Sequence, residues 1–385
     1  MTILAIVRHY LPLYQSGGPA RTLANLIERV GDEFQFRIVT SGLDARDEAA
    51  GQEVRSDRWN RVGKADVYYV SPANRSIGRL ARLISQVPHD LLYINSFFDS
   101  VLTVKAVVAR RMGWLPARPV VLAPRGEFSP AALAIDRWRK MPYLALARGL
   151  GLYRNMTWQA SSELEARDIQ RTLGRTAAPM VIAPNLPRPV HGEAHTGHRS
   201  AGDALRVVFL ARIAPMKNLD FAVRVLRLVR VPVSFSIYGP VRDAGYWREC
   251  QRLLECLPDH VTVEYRGEAA SADVPDVLAA HDLFFLPTQG ENYGHAIVEA
   301  LSAGTPVLIA DTTSWRALEE AGVGWDLPLD APERFARSIE HAAGLGAGEY
   351  AAWRARARAY GAARLDDEAA VEANRRLFER AVARS

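Results

Sequence analysis

Short apolar runs alternate with amphipathic helical patterns along almost the whole chain, and this alternation restricts the fold more than any other feature. Such a pattern predicts parallel β-sheets that are covered by helices on both faces. The runs form two series, one from Ile3–Val7 to Met180–Ala183 and one from Arg206–Leu210 to Val307–Ala310. Because 385 residues exceed the size that one hydrophobic core usually reaches, two doubly wound α/β domains are expected.

The two series are separated by the proline-rich segment Pro184–Pro189 and the polar stretch His191–Asp203. Dense proline, glycine and histidine with little apolar content is typical of a linker. We therefore predict four parts of the chain: an N-terminal domain over residues 1–184, a linker over 185–204, a C-terminal domain over 205–362 and a last helix over 363–385.

Positive charge is concentrated in the first half of the chain. Residues 1–184 contain 25 Lys and Arg against 16 Asp and Glu, whereas residues 185–385 contain 23 against 27. No zinc-ligand spacing, RNA-binding signature or basic heptad pattern accompanies this excess, so no nucleic-acid partner is predicted. An anionic membrane face or a lipid-diphosphate acceptor fits the charge better.

The segment Ile135–Tyr153 has the composition of a basic helix with a large apolar face. Two interpretations are open: contact with an anionic inner membrane, or an ordinary packed helix with a solvated basic side. No stretch approaches the roughly twenty unbroken apolar residues of a membrane span, and no secretion signal precedes the first strand. Cys250 and Cys256 are six residues apart in a predicted helix, which argues against a disulfide. The expectation is a cytoplasmic protein, with peripheral contact to the cytoplasmic membrane face left open.

A pair of glutamates eight positions apart lies between two apolar runs near the end of the second series. The stretch Pro287–Leu301 predicts a loop followed by a helix that begins at Gly294. Glu291 then lies in the loop, close to the backbone N–H groups of the helix start, and Glu299 lies inside the helix, about two turns beyond Glu291. Exposed amides can bind phosphate while the carboxylates accept hydrogen bonds from hydroxyls, which suits a sugar attached to a diphosphate.

The residues around this pair make it specific. Without them, a helix cap at Glu291 and a solvated Glu299 would explain the spacing. With the runs Glu291–Gly294 and Glu299–Val307, the segment resembles the motif of retaining glycosyltransferases of family 4, the glycosyl transferases group 1, of the bacterial polysaccharide-assembly type. This resemblance implies the GT-B fold, in which two Rossmann-like domains face each other across a cleft and the C-terminal helix crosses back. It also implies that Glu291 takes part in catalysis and that the donor is bound by Asn292, Tyr293, Gly294 and Glu299.

Two cations follow the first strand of the second series. Arg212 closes that strand and Lys217 opens the next helix, so both side chains can reach one point above the sheet. Fixed cations at that point would neutralise a departing diphosphate. A surface salt bridge is the alternative explanation. The family shows the same pair, usually with glycine where this chain has Asn218.

Glycines at strand ends provide further candidates for donor binding. Gly17 and Gly18 lie between the first strand and a helix, where the backbone can approach a ligand closely. The third glycine and the acidic residue of a dinucleotide fingerprint are missing, so a Rossmann dehydrogenase is disfavoured. Gly239 and Gly267 follow strands of the second domain and are predicted to line the pocket for the base.

Three residues of the first half are candidates for acceptor binding. Arg125 and Glu127 follow an N-terminal strand, at a loop where many family members have a histidine near the transferred sugar. Arg125 would bind an acceptor phosphate and Glu127 would serve as a base, although a salt-bridged loop explains them equally well. His9, after the first strand, is either an acceptor contact or a packed histidine.

The resemblance implies a hexosyltransferase that moves a hexose from UDP or GDP to a hydroxyl with retention of configuration. The saccharide acceptor would be lipid-linked, in cell-surface polysaccharide biosynthesis. No Asp-x-Asp dyad is present to hold a divalent ion, so neither a metal nor another cofactor is expected. A sugar-nucleotide 2-epimerase of the same fold and a non-catalytic sugar-nucleotide-binding subunit of an assembly complex are the alternatives.

Overall fold

The computed structural model describes residues 1–12, 18–42, 54–174, 179–188, 203–270 and 272–383. The chain divides into two compact units: unit 1 is Met1–Leu186 with Glu368–Ser385, and unit 2 is Pro187–Asp367. The sequence placed the second boundary at residue 362, which falls inside a helix that ends at Leu365 and stays with unit 2. Most of the predicted linker, residues 189–202, lies outside the described residues.

The described part of unit 1 contains one sheet in the order β3-β4-β2-β1-β5-β6-β7-β8. Its strands pair in parallel, apart from the antiparallel pair of β3 and β4 at one edge. The strands are β1 Thr2–Ile6, β2 Gln35–Ser41, β3 Trp59–Val62, β4 Ala65–Val70, β5 Leu91–Asn95, β6 Val120–Ala123, β7 Thr157–Ala160 and β8 Met180–Ile182.

Helices connect most of these strands, as the alternation in the sequence predicts. In the described residues of unit 1 they are α1 Gly18–Val30, α2 Ile77–Gln86, α3 Thr103–Arg111, α4 Pro130–Ala134, α5 Arg137–Gly149, α6 Glu163–Leu173 and, at the end of the chain, α13 Glu368–Ala383; a short 3-10 turn spans Pro72–Asn74.

The sheet of unit 1 is buried on both faces. Along β1, Leu4 and Ile6 join the hydrophobic cluster on one face, and Ile3 and Ala5 join the cluster on the other. Successive side chains of a strand point to opposite faces, so an unbroken apolar strand requires two covered faces. The same reason explains why these strands read as continuous apolar runs.

The last helix of the chain, α13, packs on the sheet of unit 1. The ring centroid of Phe378 lies 5.8 Å from that of Phe34, 6.2 Å from Phe36 and 5.2 Å from Tyr93, each in an edge-to-face arrangement. Edge-to-face pairs add to the free energy gained by burial alone. The return of the C-terminal helix to the first domain, which the family resemblance implied, is confirmed.

The described part of unit 2 contains a second, wholly parallel sheet in the order β11-β10-β9-β12-β13-β14. The strands are β9 Leu205–Leu210, β10 Val233–Tyr238, β11 Val261–Tyr265, β12 Leu283–Leu286, β13 Val307–Ala310 and β14 Gly324–Leu327. The helices are α7 Leu219–Leu226, α8 Ala244–Leu254, α9 Val274–Ala279, α10 His295–Ser302, α11 Pro332–Gly344 and α12 Ala347–Leu365, with a 3-10 turn at Pro215–Lys217.

Two strands were missed by the sequence analysis, and both lie at the edges of their sheets. Trp59–Val62 alternates between exposed and half-buried residues, and Gly324–Leu327 combines a glycine and an aspartate in four residues. An edge strand gains pairing from only one neighbour and needs no apolar run, so hydrophobic patterning is weak there. None of the helices in the described ranges combines the length and apolar character needed to cross a bilayer.

Candidate functional site

The site of unit 2 lies where the order of its strands reverses direction. Strands β9 and β12 are neighbours in the centre of the sheet, with Leu283 opposite Val207 and Phe284 opposite Val208. From β9 the connections lead towards one edge of the sheet, and from β12 they lead towards the other edge. The connections therefore diverge and open a crevice beyond the carboxyl ends of these two strands. The loops that follow β9 and β12 carry the cation pair and the glutamate motif, so both motifs meet at this crevice.

An ion pair joins the two motifs. The Lys217 Nζ contacts the Glu291 Oε1, and both side chains are largely buried, with relative exposures of 13% and 17%. Burial lowers the pKa of Arg212, and the negative charge of Glu291 opposes this shift. The three residues predicted to be catalytic are therefore brought together. Two cations beside one carboxylate leave the crevice with a net positive charge for an anionic ligand.

A further cation belongs to this site and was missed in the sequence. Arg242 repels Arg212, which contributes to the lowered pKa of the Arg212 guanidinium. It is placed by its backbone N–H, which donates to the Ile213 carbonyl over 3.1 Å, next to a bridge between Val241 and Ile213. The sequence signal that could have identified Arg242 is its position shortly after β10. Because β10 is the neighbour of β9, the loops after these two strands lie side by side.

Hydrogen bonds fasten the turn after β9 to the loop after β12. The Thr288 hydroxyl donates to the Met216 carbonyl over 3.0 Å, and the Gln289 N–H donates to the same carbonyl over 2.9 Å. The amide Nδ2 of Asn218 donates to the Pro287 carbonyl over 2.9 Å. Thr288 and Asn218 are buried, so these bonds are shielded from water. They hold Lys217 opposite Glu291.

The backbone conformation of Asn218 explains why asparagine can stand where the family usually has glycine. Its backbone has φ +61° and ψ +41°, the left-handed conformation that glycine adopts most easily and asparagine tolerates better than other residues. Asparagine therefore keeps the turn that a glycine would make and adds the hydrogen bond to Pro287.

We expect Asn218→Ala to destabilise unit 2 by about 2 kcal/mol, because alanine is strained in the left-handed conformation and cannot make the buried hydrogen bond. Asn218→Gly loses only the hydrogen bond and should cost about 1 kcal/mol. Urea unfolding of the two variants beside the wild type measures the difference. Equal stability of the two variants would mean that the backbone conformation contributes nothing.

Gly239 is required by a close approach of two backbones. Its φ is +138°, and a Cβ placed there would lie 1.9 Å from the carbonyl oxygen of Ala211. Ala211 is the residue before Arg212. The Gly239 N–H donates to the Gly267 carbonyl over 2.7 Å, and the Tyr265 hydroxyl donates to the Gly239 carbonyl over 2.9 Å. The two glycines predicted to bind the donor are thus adjacent, at the carboxyl ends of β10 and β11. Their contact with a base stays a prediction.

The helix α10 begins where the sequence predicts. Gly294 precedes it with φ +79°, as its N-terminal cap residue. The Tyr293 carbonyl accepts a hydrogen bond from the Trp315 indole over 2.5 Å, and burial raises the pKa of the Tyr293 phenol. Glu299 lies inside α10 with its Oε2 atom out of contact with solvent. The half-buried Asn292 lies in the loop just before α10, whereas Glu299 is half-buried in the middle of the helix.

Arg125, one of the predicted acceptor contacts, is buried in unit 1 with an exposure of 8%. Its Nε donates to the Asn95 Oδ1 over 3.0 Å and its Nη2 over 2.7 Å, and its guanidinium also donates to the Tyr93 hydroxyl and the Asn185 Oδ1. These bonds hold Asn185 just before the chain leaves unit 1. The arrangement favours a structural role, and contact with an acceptor phosphate stays a prediction.

Glu127 is held in a cradle of donors at the carboxyl end of β5. It accepts hydrogen bonds from the Ser96 hydroxyl over 2.7 Å, from the Phe98 N–H over 3.1 Å and from the Phe97 N–H. Burial raises the pKa of Glu127, while these donors and the nearby Lys140 ammonium act in the opposite direction. The predicted salt bridge within this loop is replaced by backbone and hydroxyl donors. A role as a base stays a prediction.

The remaining candidates of unit 1 are described less fully. His9 is half-buried in the loop after β1, and Gly18 is the exposed first residue of α1. Gly17 lies outside the described residues. The choice of acceptor contact or packing for His9 stays a prediction. In the described part of the chain, no group of three or more His, Cys, Asp or Glu side chains is arranged to hold a metal ion, and the metal-free reaction stays a prediction as well.

The family model described as glycosyl transferases group 1 matches residues 204–343. This range contains both the cation pair, after β9, and the glutamate motif, in the loop after β12 and in α10. Residues 204–343 are thus similar to the glycosyl transferases group 1 family. The resemblance inferred from the glutamate motif is therefore confirmed for this group 1 domain.

Two curated relatives match part of the chain. The D-inositol 3-phosphate glycosyltransferase of Rhodococcus erythropolis is 29% identical over 143 residues, which cover 34% of this chain and 32% of that protein. The O-antigen chain mannosyltransferase B of Escherichia coli is 27% identical over 113 residues, 28% of this chain and 29% of that protein. The chain spans about a third of the length of these relatives.

A likeness in fold extends beyond the group 1 domain. The crystal structure of Anabaena HepE in complex with UDP and glucose aligns over 98% of both chains with a TM-score of 0.70 and 19% sequence identity. The predicted GT-B fold is confirmed by this match. The family model and these two curated relatives are glycosyltransferases by description, and the solved structure shares the fold.

Proposed function

We propose that this chain is a retaining glycosyltransferase that moves a hexose from UDP or GDP to a hydroxyl of a saccharide acceptor. The observation that carries the proposal is the meeting of Arg212, Lys217 and Glu291 at the strand reversal of the group 1 domain. Fixed cations at such a point stabilise a leaving diphosphate, which is where negative charge develops during glycosyl transfer. Structural relatives crystallised with UDP support a nucleotide-sugar donor.

In the proposed reaction, the bond between the anomeric carbon and the diphosphate oxygen breaks while a bond to the acceptor oxygen forms on the same face. The diphosphate oxygen accepts the proton of the acceptor hydroxyl, so no protein nucleophile is required. Arg212 and Lys217 neutralise the charge that the diphosphate gains. Because the Lys217 ammonium is held against Glu291 before the donor binds, little reorganisation of this cation is needed as the charge develops.

The glutamate motif orients the donor in this proposal. Glu291 and the backbone of Asn292–Gly294 contact the hexose, and Glu299 accepts hydrogen bonds from the ribose hydroxyls. Three features support this assignment: the cap position of Gly294, the ion pair of Glu291 and the half-buried position of Glu299 inside α10, about two turns beyond Glu291.

For the acceptor we propose a lipid-linked saccharide in cell-surface polysaccharide biosynthesis, bound through unit 1 at the cytoplasmic face of the membrane. The positive charge of residues 1–184 supports an anionic acceptor or surface. The likeness to a protein named O-antigen chain mannosyltransferase B points in the same direction. No metal is required, since the two cations take the part that a divalent ion would otherwise play.

Calorimetric titration with UDP, GDP, ADP and common UDP- and GDP-sugars tests the proposal, with and without magnesium. One nucleotide should bind tightly without the metal, and Glu299→Ala should weaken it by about tenfold to a hundredfold because charge-assisted hydrogen bonds to the ribose are lost. Glu255→Ala, an exposed glutamate at the end of α8, is the matched control and should bind as the wild type does.

Three outcomes would contradict parts of the proposal. If no nucleotide binds, the donor site is wrong. If the donor binds but is epimerised without any acceptor and without release of nucleotide, the chain is a 2-epimerase. If donor binding is normal and no transfer or epimerisation occurs with any acceptor extract, the chain is a binding subunit.

A further inference from the structure

Unit 1 exposes large apolar side chains in one region. The described residues with strongly exposed large hydrophobic side chains concentrate between positions 112 and 150: Met112, Trp114, Ile135, Trp138, Met141, Leu146 and Leu150. Trp138 is 70% exposed and Leu146 58% exposed. Single exposed apolar residues are ordinary, whereas a concentration of them marks a binding surface.

The helix α5 carries most of this region and has its apolar stripe on the outer side. Leu144 and Ala147 are its buried residues. At 3.6 residues per turn, Trp138, Pro142, Ala145, Leu146 and Gly149 project from the opposite side, and none of them is charged. A helix that only packs on a core would show polar residues there. This side of α5 is therefore apolar, with the basic residues on its flanks, and the choice between the two interpretations of the sequence stays a prediction.

Arginines flank the stripe. Arg137, Arg139 and Arg148 are exposed on its two edges, and the Arg139 guanidinium lies 4.5 Å from the centroid of the Trp138 ring. Lys140 does not belong to this set, because its ammonium turns inward, donates to the Ala132 carbonyl and lies 5.4 Å from the Phe98 ring. The charge that remains outside is positive and next to apolar surface.

The turn after α3 extends the same surface. The Arg111 Nε donates to the Leu150 carbonyl over 3.2 Å, which places Met112 and Trp114 close to the end of α5. Together, residues 110–118 and 135–150 contain seven basic residues and one acidic residue, Asp136. We call the exposed side chains of these two segments the basic–aromatic face.

We propose that the basic–aromatic face binds the surface of an anionic phospholipid bilayer, with the apolar stripe of α5 entering the interface and the flanking arginines contacting lipid phosphates. Tryptophan and arginine at the edge of an apolar stripe suit this interface, since each presents an apolar body and a polar end. A second copy of the chain is a poorer occupant, because a two-fold contact would place the arginines of one copy against those of the other. The inference concerns the membrane part of the proposed function and does not depend on the transfer reaction.

Co-sedimentation with vesicles tests this proposal. The full chain should bind vesicles of equal parts phosphatidylcholine and phosphatidylglycerol, bind phosphatidylcholine vesicles much more weakly, and be released by high salt. Trp138→Ser with Leu146→Ser should reduce binding by about tenfold or more through the lost apolar contact. The double variant Arg137→Glu with Arg139→Glu should reduce vesicle binding at least as strongly. This reduction should be seen only at low salt, because salt screens the attraction between the arginines and the lipid phosphates.

Matched controls use exposed residues elsewhere. Trp59→Ala in β3 and Arg227→Glu after α7 should leave vesicle binding unchanged. Binding of the donor nucleotide should be the same for all these variants, so a failure of the donor site and a failure of the membrane face are distinguishable. Equal binding to both vesicle types, or variants that bind as the wild type does, would overturn the proposal. A dimer in light scattering that Trp138→Ser dissociates, without vesicle binding, would assign the face to a second copy instead.

Discussion

Lys217→Ala should lower the turnover number for sugar transfer by about a hundredfold to a thousandfold, the range seen when one preorganised electrostatic group of an active site is removed. The Lys217 ammonium is largely buried beside Glu291 and shares the crevice with Arg212, so its removal takes away the cation that is held against the glutamate motif. A steady-state rate at saturating donor and acceptor measures the effect on turnover.

Two companion variants separate catalysis from folding. Lys217→Arg keeps the positive charge and should recover part of the rate, which a purely structural role would not require. Lys64→Ala removes an exposed ion pair, in which the Lys64 Nζ lies 2.6 Å from the Asp32 Oδ2, and should leave the rate unchanged. If Lys217→Ala transferred sugar at the wild-type rate with an unchanged KM for the donor, the leaving-group role would be wrong.

Gly239→Ala should destabilise unit 2 by about 3 kcal/mol or more and abolish measurable donor binding. The added Cβ would lie 1.9 Å from the Ala211 carbonyl oxygen and 2.6 Å from its carbon, and both belong to backbone that cannot rotate away. Relief requires the ends of β9 and β10 to separate, which moves Arg212. Urea unfolding and nucleotide titration on the same preparation measure the two effects.

Gly267→Ala is the comparison for backbone strain alone. Gly267 has φ +72°, and a Cβ there meets no atom within 4 Å. This variant should cost only about 1–2 kcal/mol, the cost of an L-residue in the left-handed region. If the two variants were equally stable, the close approach at Gly239 would not limit the structure of unit 2.

The central strands and the group 1 site were predictable because their signals are local in the sequence. A strand buried on both faces must be apolar throughout, so β1 and β12 can be recognised from composition alone. The cation pair and the glutamate motif each occupy one loop after one strand. In a parallel sheet such loops meet at the carboxyl edge, so the alternation of strands and helices already implied that Lys217 and Glu291 lie close together.

Other residues depend on partners far along the chain and were not predictable. Arg125 has the sequence context of a surface loop cation, yet it is buried by Asn95, Tyr93 and Asn185, which lie 30 to 60 residues away. Arg242 joins the site only because β10 pairs with β9. In both cases the decisive contact joins elements that are distant in sequence, and the local sequence pattern does not predict which distant elements meet.

The sequence by itself determined the two α/β domains, the position of the donor motifs and the excess of positive charge in the first half, because periodicity and charge are properties of neighbouring residues. Only the tertiary structure decided which side of α5 is covered. Its composition permits a packed helix or a membrane-facing one, and the burial of Leu144 and Ala147 turns Trp138 and Leu146 outward. The direction in which an amphipathic helix faces is set by the surface that it packs on, and that surface is assembled from distant parts of the chain.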